Sequence, residues 1–197
     1  MMDEEAFAAL EDEARACRAC ADLPLGPRPT FRVSLTARLL IVGQAPGTRV
    51  HETGIPWNDR SGIRLRGWLG LDPETFYDSA RIAIVPTGLC YPGRARNGGD
   101  APPRKQCAPL WHPRLIPAMP RIALTLAVGA YAQEAVLGPR RRASMSETVG
   151  AFRDYLPQIL PLPHPSWRTT GWERKNPWFG EDLLPALRHR VATLLSA

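Results

Sequence analysis

The chain has 197 residues, a hydrophobic fraction of 44%, a formal net charge of +6 and a pI near 9.6. That length sets a prior of one domain with chain enough for a sizeable core, and no apolar run is long enough to span a bilayer. The acidic start, Met1-Met2-Asp3-Glu4-Glu5, is the opposite of a secretory or mitochondrial leader, so a cytoplasmic protein is expected.

Residues 3–18 carry Phe7, Leu10, Ala14 and Cys17 at helical spacing and predict an amphipathic helix. Residues 22–29 (DLPLGPRP) form an extended, proline-rich linker. The apolar run 38–42 predicts a first strand, followed by a long loop to about Asp59 and a helix over 62–69 with Leu65, Trp68 and Leu69 facing inward. A second strand (82–85) leads into the loop 91–106, rich in Gly, Pro and Arg, and then a helix over 107–118. A third strand (122–128) feeds a helix over 130–137 that Gly138-Pro139 ends; a fourth (159–162) runs to His164, and a helix over 179–195 closes the chain. Short β-rich runs separated by helix-length segments require strands entered from one end. The αβαβαβαβα order therefore predicts a three-layer α/β/α sandwich, with a central four-stranded parallel sheet and right-handed crossovers, over residues 1–197. Ligands of such sheets bind beyond the carboxyl ends of the strands. Four unusual segments start there: Gly43-Gln44-Ala45-Pro46-Gly47, Pro86-Thr87-Gly88-Leu89-Cys90, Gly129-Ala130-Tyr131 and Pro163-His164-Pro165-Ser166.

The positive charge is almost wholly arginine, since Lys105 and Lys175 are the only lysines. Arginine's planar fork suits bidentate phosphate contacts and hence a polyanionic partner; arginine-biased coding is the bland alternative. Position separates the two. Acids crowd the first helix, whereas Arg94, Arg96, Arg104, Lys105, Arg140 to Arg142, Arg168, Arg174 and Lys175 fall in or beside predicted loops, which points to a basic, loop-built face.

Each motif has a functional and a structural reading. Gly43 and Gly47 permit close backbone approach to a ligand, or simply close a tight βα turn; the segment lacks the Lys-Ser/Thr pair of a P-loop. His164, bracketed by prolines at a strand end, is a candidate acid, base or hydrogen-bond donor, or a loop cap. Ser166 has no recognisable base–acid pair, which argues against a serine hydrolase. Trp57, in a polar loop, suits stacking on a planar ligand, or plugs the core. Glu52 and Asp59 are carboxylates within reach of the same crevice. Cys17 and Cys20 lie one turn apart, and Cys90 and Cys107 flank a loop with little apolar content. Four such thiolates suit zinc or a [4Fe–4S] cluster, against four unrelated buried thiols.

Taken together, Gly43-Gln44-Ala45-Pro46-Gly47, Gly54-Ile55-Pro56-Trp57, the Cys90/Cys107 pair and His164-Pro165-Ser166 resemble the uracil-DNA glycosylase superfamily. The early Cys17-x-x-Cys20 makes the chain similar to its iron–sulfur branch, family 4, from about Cys17 to Leu195. The resemblance implies a DNA-repair enzyme that hydrolyses the N-glycosidic bond of a flipped damaged base in single- or double-stranded DNA. It also implies a structural [4Fe–4S] cluster on Cys17, Cys20, Cys90 and Cys107, with zinc as the alternative. By the same resemblance His164 donates to the leaving base, with the Gln44 amide as second donor, and Trp57 stacks on the base. Gly43, Ala45, Asn58, Thr87 and Ser166 complete the substrate pocket, Arg94, Arg96 and Arg168 grip phosphates, and Trp167 or Arg168 fills the vacated stack. No lysine near the motifs offers a Schiff base, so a monofunctional enzyme is expected; a monomer is expected as well.

Two departures bear on substrate. Gln44 stands where that branch usually has a glutamate, and Pro86 where it commonly has the asparagine that reads the uracil edge. Either Thr87 or Asn58 replaces that reader, or the preferred base is not uracil. These departures motivate a rival of another class, a catalytically silent module that retains damaged DNA. A small-nucleotide hydrolase using the first glycine loop as a phosphate cradle is a third reading, and the absent metal-binding carboxylate pattern counts against it.

Overall fold

The computed structural model describes residues 2–96 and 98–196. Asp3 opens α1 (Glu4–Arg15): its carboxylate accepts the Ala6 amide at 2.8 Å, Glu4 and Glu5 complement the positive end of the helix dipole, and Phe7, Leu10 and Ala14 are buried on one face. The helix ends short of the expected residue 18, which leaves Cys17 and Cys20 in the turns that follow. β1 (Leu39–Val42) comes next, followed by α2 (Thr48–Thr53), α3 (Arg60–Leu69), α4 (Pro73–Tyr77) and β2 (Ile82–Ile84). Then come α5 (Cys107–Leu115), β3 (Leu124–Val128), α6 (Ala130–Leu137), α7 (Met145–Gly150), β4 (Ile159–Leu162) and α8 (Thr169–Lys175). A single π turn, Phe179–Leu183, leads into α9 (Leu184–Ser196).

Four short helices, α2, α4, α7 and α8, interrupt stretches read as loop. They hold five to seven residues each, too few for an apolar period, and two rest on local caps instead. Asp72 accepts the Thr75 amide at 2.8 Å with Pro73 in the first turn, and Ser144 and Glu147 close a capping box.

The four strands form one parallel sheet in the order β2-β1-β3-β4, with Leu39 opposite both Ile82 and Leu124, and Thr125 opposite Ile159. Strand alternation divides the core in two. Leu39, Ile41, Ile82, Leu126 and Leu160 face a layer containing α3 and α9 (Leu65, Leu69, Leu187, Val191). Leu40, Val42, Ala83 and Ala127 face α1, α5 and α6 (Phe7, Leu10, Trp111, Leu115, Ala132). This is the expected three-layer arrangement. From β1 the chain moves to β2 on one side and then crosses to β3 on the other, so the order reverses beside β1 and a crevice opens beyond its carboxyl end. Among the described residues no helix is long and apolar enough to cross a membrane.

Candidate active site

A cavity of about 620 Å³ occupies that crevice, and every strand contributes to it: Gly43 and Gln44 after β1, Pro86 after β2, Tyr131 after β3 and His164 after β4. Its volume falls within the range of small-ligand sites.

The Gly43-Gln44 turn is braced from the neighbouring strand end. Thr87 N–H donates to the Gly43 carbonyl at 2.9 Å and Gly88 N–H to the Gln44 carbonyl at 2.8 Å. The Thr87 hydroxyl faces the same two carbonyls, at 3.0 Å and 2.5 Å. Thr87 is thus buried as a brace, and neither it nor Asn58 lies on the cavity wall.

Trp57 is on the wall in a forced pose. Its φ of +57° is left-handed, a conformation costly for a large L side chain. Two glycines and a tyrosine hold it there. A Cβ on Gly62 would lie 1.7 Å from the Trp57 carbonyl oxygen, and one on Gly43 would lie 2.8 Å from indole Cζ2. The Tyr77 hydroxyl donates to the Trp57 carbonyl at 3.3 Å.

The indole and the His164 imidazole have ring centroids 5.9 Å apart, inclined by 34°. Gly129, at φ +87°, makes room for His164: a Cβ there would come within 3.3 Å of the His164 Cβ. Burial pushes the imidazole pKa down, opposed by the nearby negative charge of Asp59, and so favours the neutral ring. Arg64 ties the following loop to the body, donating to the Ser166 carbonyl at 2.6 Å and pairing with Glu173 at 2.8 Å. Beyond it Trp167 is 79% exposed, with the Arg168 guanidinium 5.6 Å above its ring. Ala45, Ser166, Trp167 and Arg168 all line the cavity.

Two carboxylates line it as well. Asp59 caps α3, accepting the Gly62 amide at 2.8 Å. Asp100 comes from a turn inside the Cys90–Cys107 loop, in which the backbones of Arg94 and Asp100 form an isolated antiparallel bridge and Ala101 N–H donates to the Gly93 carbonyl at 2.8 Å. Its Oδ2 stands 3.3 Å from where a Cβ on Gly47 would be. Burial raises the Asp100 pKa, with Arg94 opposing and Asp59 adding to the rise. Asp100 is the wall residue that sequence reasoning passed over; the Gly98-Gly99-Asp100 turn was its only local signal. Glu52 is exposed and off the wall. The Pro86 carbonyl accepts from His112 Nε2 at 3.1 Å, which leaves that proline little to offer a ligand.

Of the basic residues, Arg94 and Arg168 reach the cavity. Arg104 pairs with Asp22 at 2.7 Å and Arg142 with Asp154 at 2.7 Å, so the basic face is narrower than the sequence suggested.

Away from this crevice, Cys17, Cys20, Cys90 and Cys107 line one small cavity of about 20 Å³, all as free thiols. Burial pushes Cys90 up to about 12 and Cys107 up to about 11, and also raises Cys20. N–H groups nevertheless face the sulfurs: Leu89 N–H donates to Cys107 Sγ at 3.2 Å, and Gln106 Nε2 to Cys20 Sγ at 3.3 Å. Among the described residues no three cysteine, histidine or acidic side chains converge closely enough to hold a single metal ion. Four cysteine sulfurs around one cavity are a donor set of the kind that zinc or an iron–sulfur cluster accepts.

The family model described as the uracil DNA glycosylase superfamily matches residues 31–188, a span that takes in all four strands and every wall residue discussed above. With that match laid over a crevice of this construction, the chain belongs to the uracil-DNA glycosylase superfamily.

Proposed function

We propose that this protein is a monofunctional DNA-repair glycosylase that hydrolyses the N-glycosidic bond of a deaminated base extruded from DNA. The observation that carries the reading is the meeting of the Gly43-Gln44 turn, Trp57 and His164 on one cavity wall.

The reacting atom is hidden in a duplex, so the nucleotide must be flipped, at a cost of about a few kcal/mol. Trp57 offers a preset face for the base, and Arg94 and Arg168 at the mouth offer charge to the flanking phosphates. As the bond from C1′ to the base nitrogen breaks, its electron pair passes to the base; in a pyrimidine the charge gathers on O2. Neutral His164 donates an N–H to that oxygen, and the Gln44 amide is the second donor. Water then bonds to C1′ and gives up a proton. Gln44 can orient that water but cannot take its proton, because an amide is not a base at neutral pH. Asp100, standing over Gly47 with a raised pKa, takes it instead.

The acidic wall also suits deaminated bases. Uracil and hypoxanthine carry a ring N–H where cytosine and adenine carry a lone pair. A carboxylate accepts from the first kind and repels the second. Asp59 thereby stands in for the missing asparagine, while Asp100 serves the water.

We further propose a structural [4Fe–4S] cluster on Cys17, Cys20, Cys90 and Cys107. It would tie the end of α1, the β2 loop and α5 together and supply no step of the hydrolysis. The shared cavity and the N–H donors on sulfur support it.

The test is base release from oligonucleotides carrying uracil, hypoxanthine or xanthine, single-stranded and duplex, with the cluster-loaded protein. Abasic product from at least one is expected. Salt-sensitive retention of damaged DNA without release would favour the rival reading, a silent binding module, which Pro86 and Gln44 motivate.

A further inference from the structure

Among the described residues, five buried side-chain nitrogen or oxygen atoms lack a hydrogen-bond partner: His51 Nδ1, Arg104 Nε, Trp111 Nε1, Glu173 Oε1 and Arg190 Nε. Orphaned N–H groups of this kind are rare in folded proteins, and each calls for an acceptor. Two of the five, Arg104 Nε and Trp111 Nε1, belong to residues lining the same small cavity, the one bounded by the four cysteines. Both are donors only. The neighbouring wall is largely apolar, with Leu23, Pro27, Pro29, Leu89 and Leu110, and offers them nothing.

The two residues are held in different ways. Trp111 is 2% exposed on α5, and its ring packs in the core layer that includes Leu115 and Phe7. Arg104 is fixed from outside: its Nη2 donates to Asp22 Oδ2 at 2.7 Å. A cationic group and an indole donor beside four thiols describe a site built for excess negative charge on sulfur.

We propose that Trp111 Nε1–H and Arg104 Nε–H donate to the sulfur atoms of the bound cluster and tune its charge state. The inference rests on the cluster assignment above. Hydrogen bonds to cluster or thiolate sulfur withdraw electron density and favour the electron-richer oxidation state, so they raise the reduction potential. Arg104 adds its charge in the same direction.

The experiment uses the full chain purified anaerobically, with iron and acid-labile sulfide quantified first and the midpoint potential then measured by voltammetry. Trp111→Phe removes one donor while keeping an aromatic ring, and Arg104→Lys keeps the charge but removes Nε. Each variant is expected to retain iron and sulfide and to shift the midpoint negative, the double variant further than either. Arg104→Lys sits on a partly exposed side chain, so its readout stands even if Trp111→Phe fails to fold. Unchanged potentials in iron-replete variants would overturn the donor role and leave the cluster reading intact. Wild-type protein holding zinc, or no metal and no sulfide, would overturn both.

Discussion

At the scale of single residues, the cavity separates groups that react from groups that hold. His164 is the proposed donor to the leaving base, and His164→Ala is expected to lower kcat by about 100- to 1,000-fold in single-turnover assays. Because burial lowers its pKa, any loss of activity from protonating the ring should set in below the ordinary imidazole value of 6.5. Asp100 sets the acid side. It acts ionised, its pKa is raised above the ordinary 3.8, and activity should fall as pH drops through that raised value. In Asp100→Asn the rate should fall by about 100-fold or more and lose this limb. Asp59 carries a different load, because its carboxylate caps α3. Asp59→Ala should cost about 1 kcal/mol of stability, read as a lower Tm, whereas Asp59→Asn keeps the cap.

At the scale of elements, the wall depends on close approaches that admit no side chain. Gly43→Ala would set a Cβ 2.8 Å from the Trp57 indole. The ring must then shift, and displacement of a positioning group by about 1 Å costs on the order of 100-fold. Base-excision kinetics on the folded variant check this. The strands were legible because each is a short apolar run buried on both faces; β4 matches its expected bounds and β1 starts one residue later. α6 was equally legible, bounded by Gly129 and Gly138. The short helices were not, since α2 and α4 hold only six and five residues, too few to show an apolar period, and α4 rests on its Asp72 cap. The site was readable wherever a residue follows a strand directly, as Gln44 and His164 do. Asp100 was not, because its place depends on how a long loop folds back between Cys90 and Cys107. Thr87 was weighed with Asn58 as a replacement for the reader missing at Pro86, but its hydroxyl is committed to backbone carbonyls.

For the whole molecule, the net charge of +6 gives a general attraction for DNA, and only part of it is aimed. Several arginines are spent on internal ion pairs, while Arg94 and Arg168 face the mouth. Arg168→Ala should weaken DNA binding and reduce the slope of log K against log salt by about 1, measured by fluorescence anisotropy across a salt series. Trp167, exposed beside it, should matter chiefly in duplex, where a flipped base leaves a gap to fill. Trp167→Ala is expected to slow excision from duplex more than from single strands, and equal losses on both would remove its wedge role.

The strained indole has a consequence for how such a pocket changes over evolutionary time. Hemmed in by two glycines and a tyrosine, it has no slack with which to accommodate a differently shaped lesion. New preferences must then arise on the opposite bank, in the loop that carries Asp100, where backbone turns replace packed rings. A laboratory library aimed at redirecting this protein would do best to randomise residues 95, 96, 98 and 99, holding Arg94, Asp100 and the aromatic floor fixed.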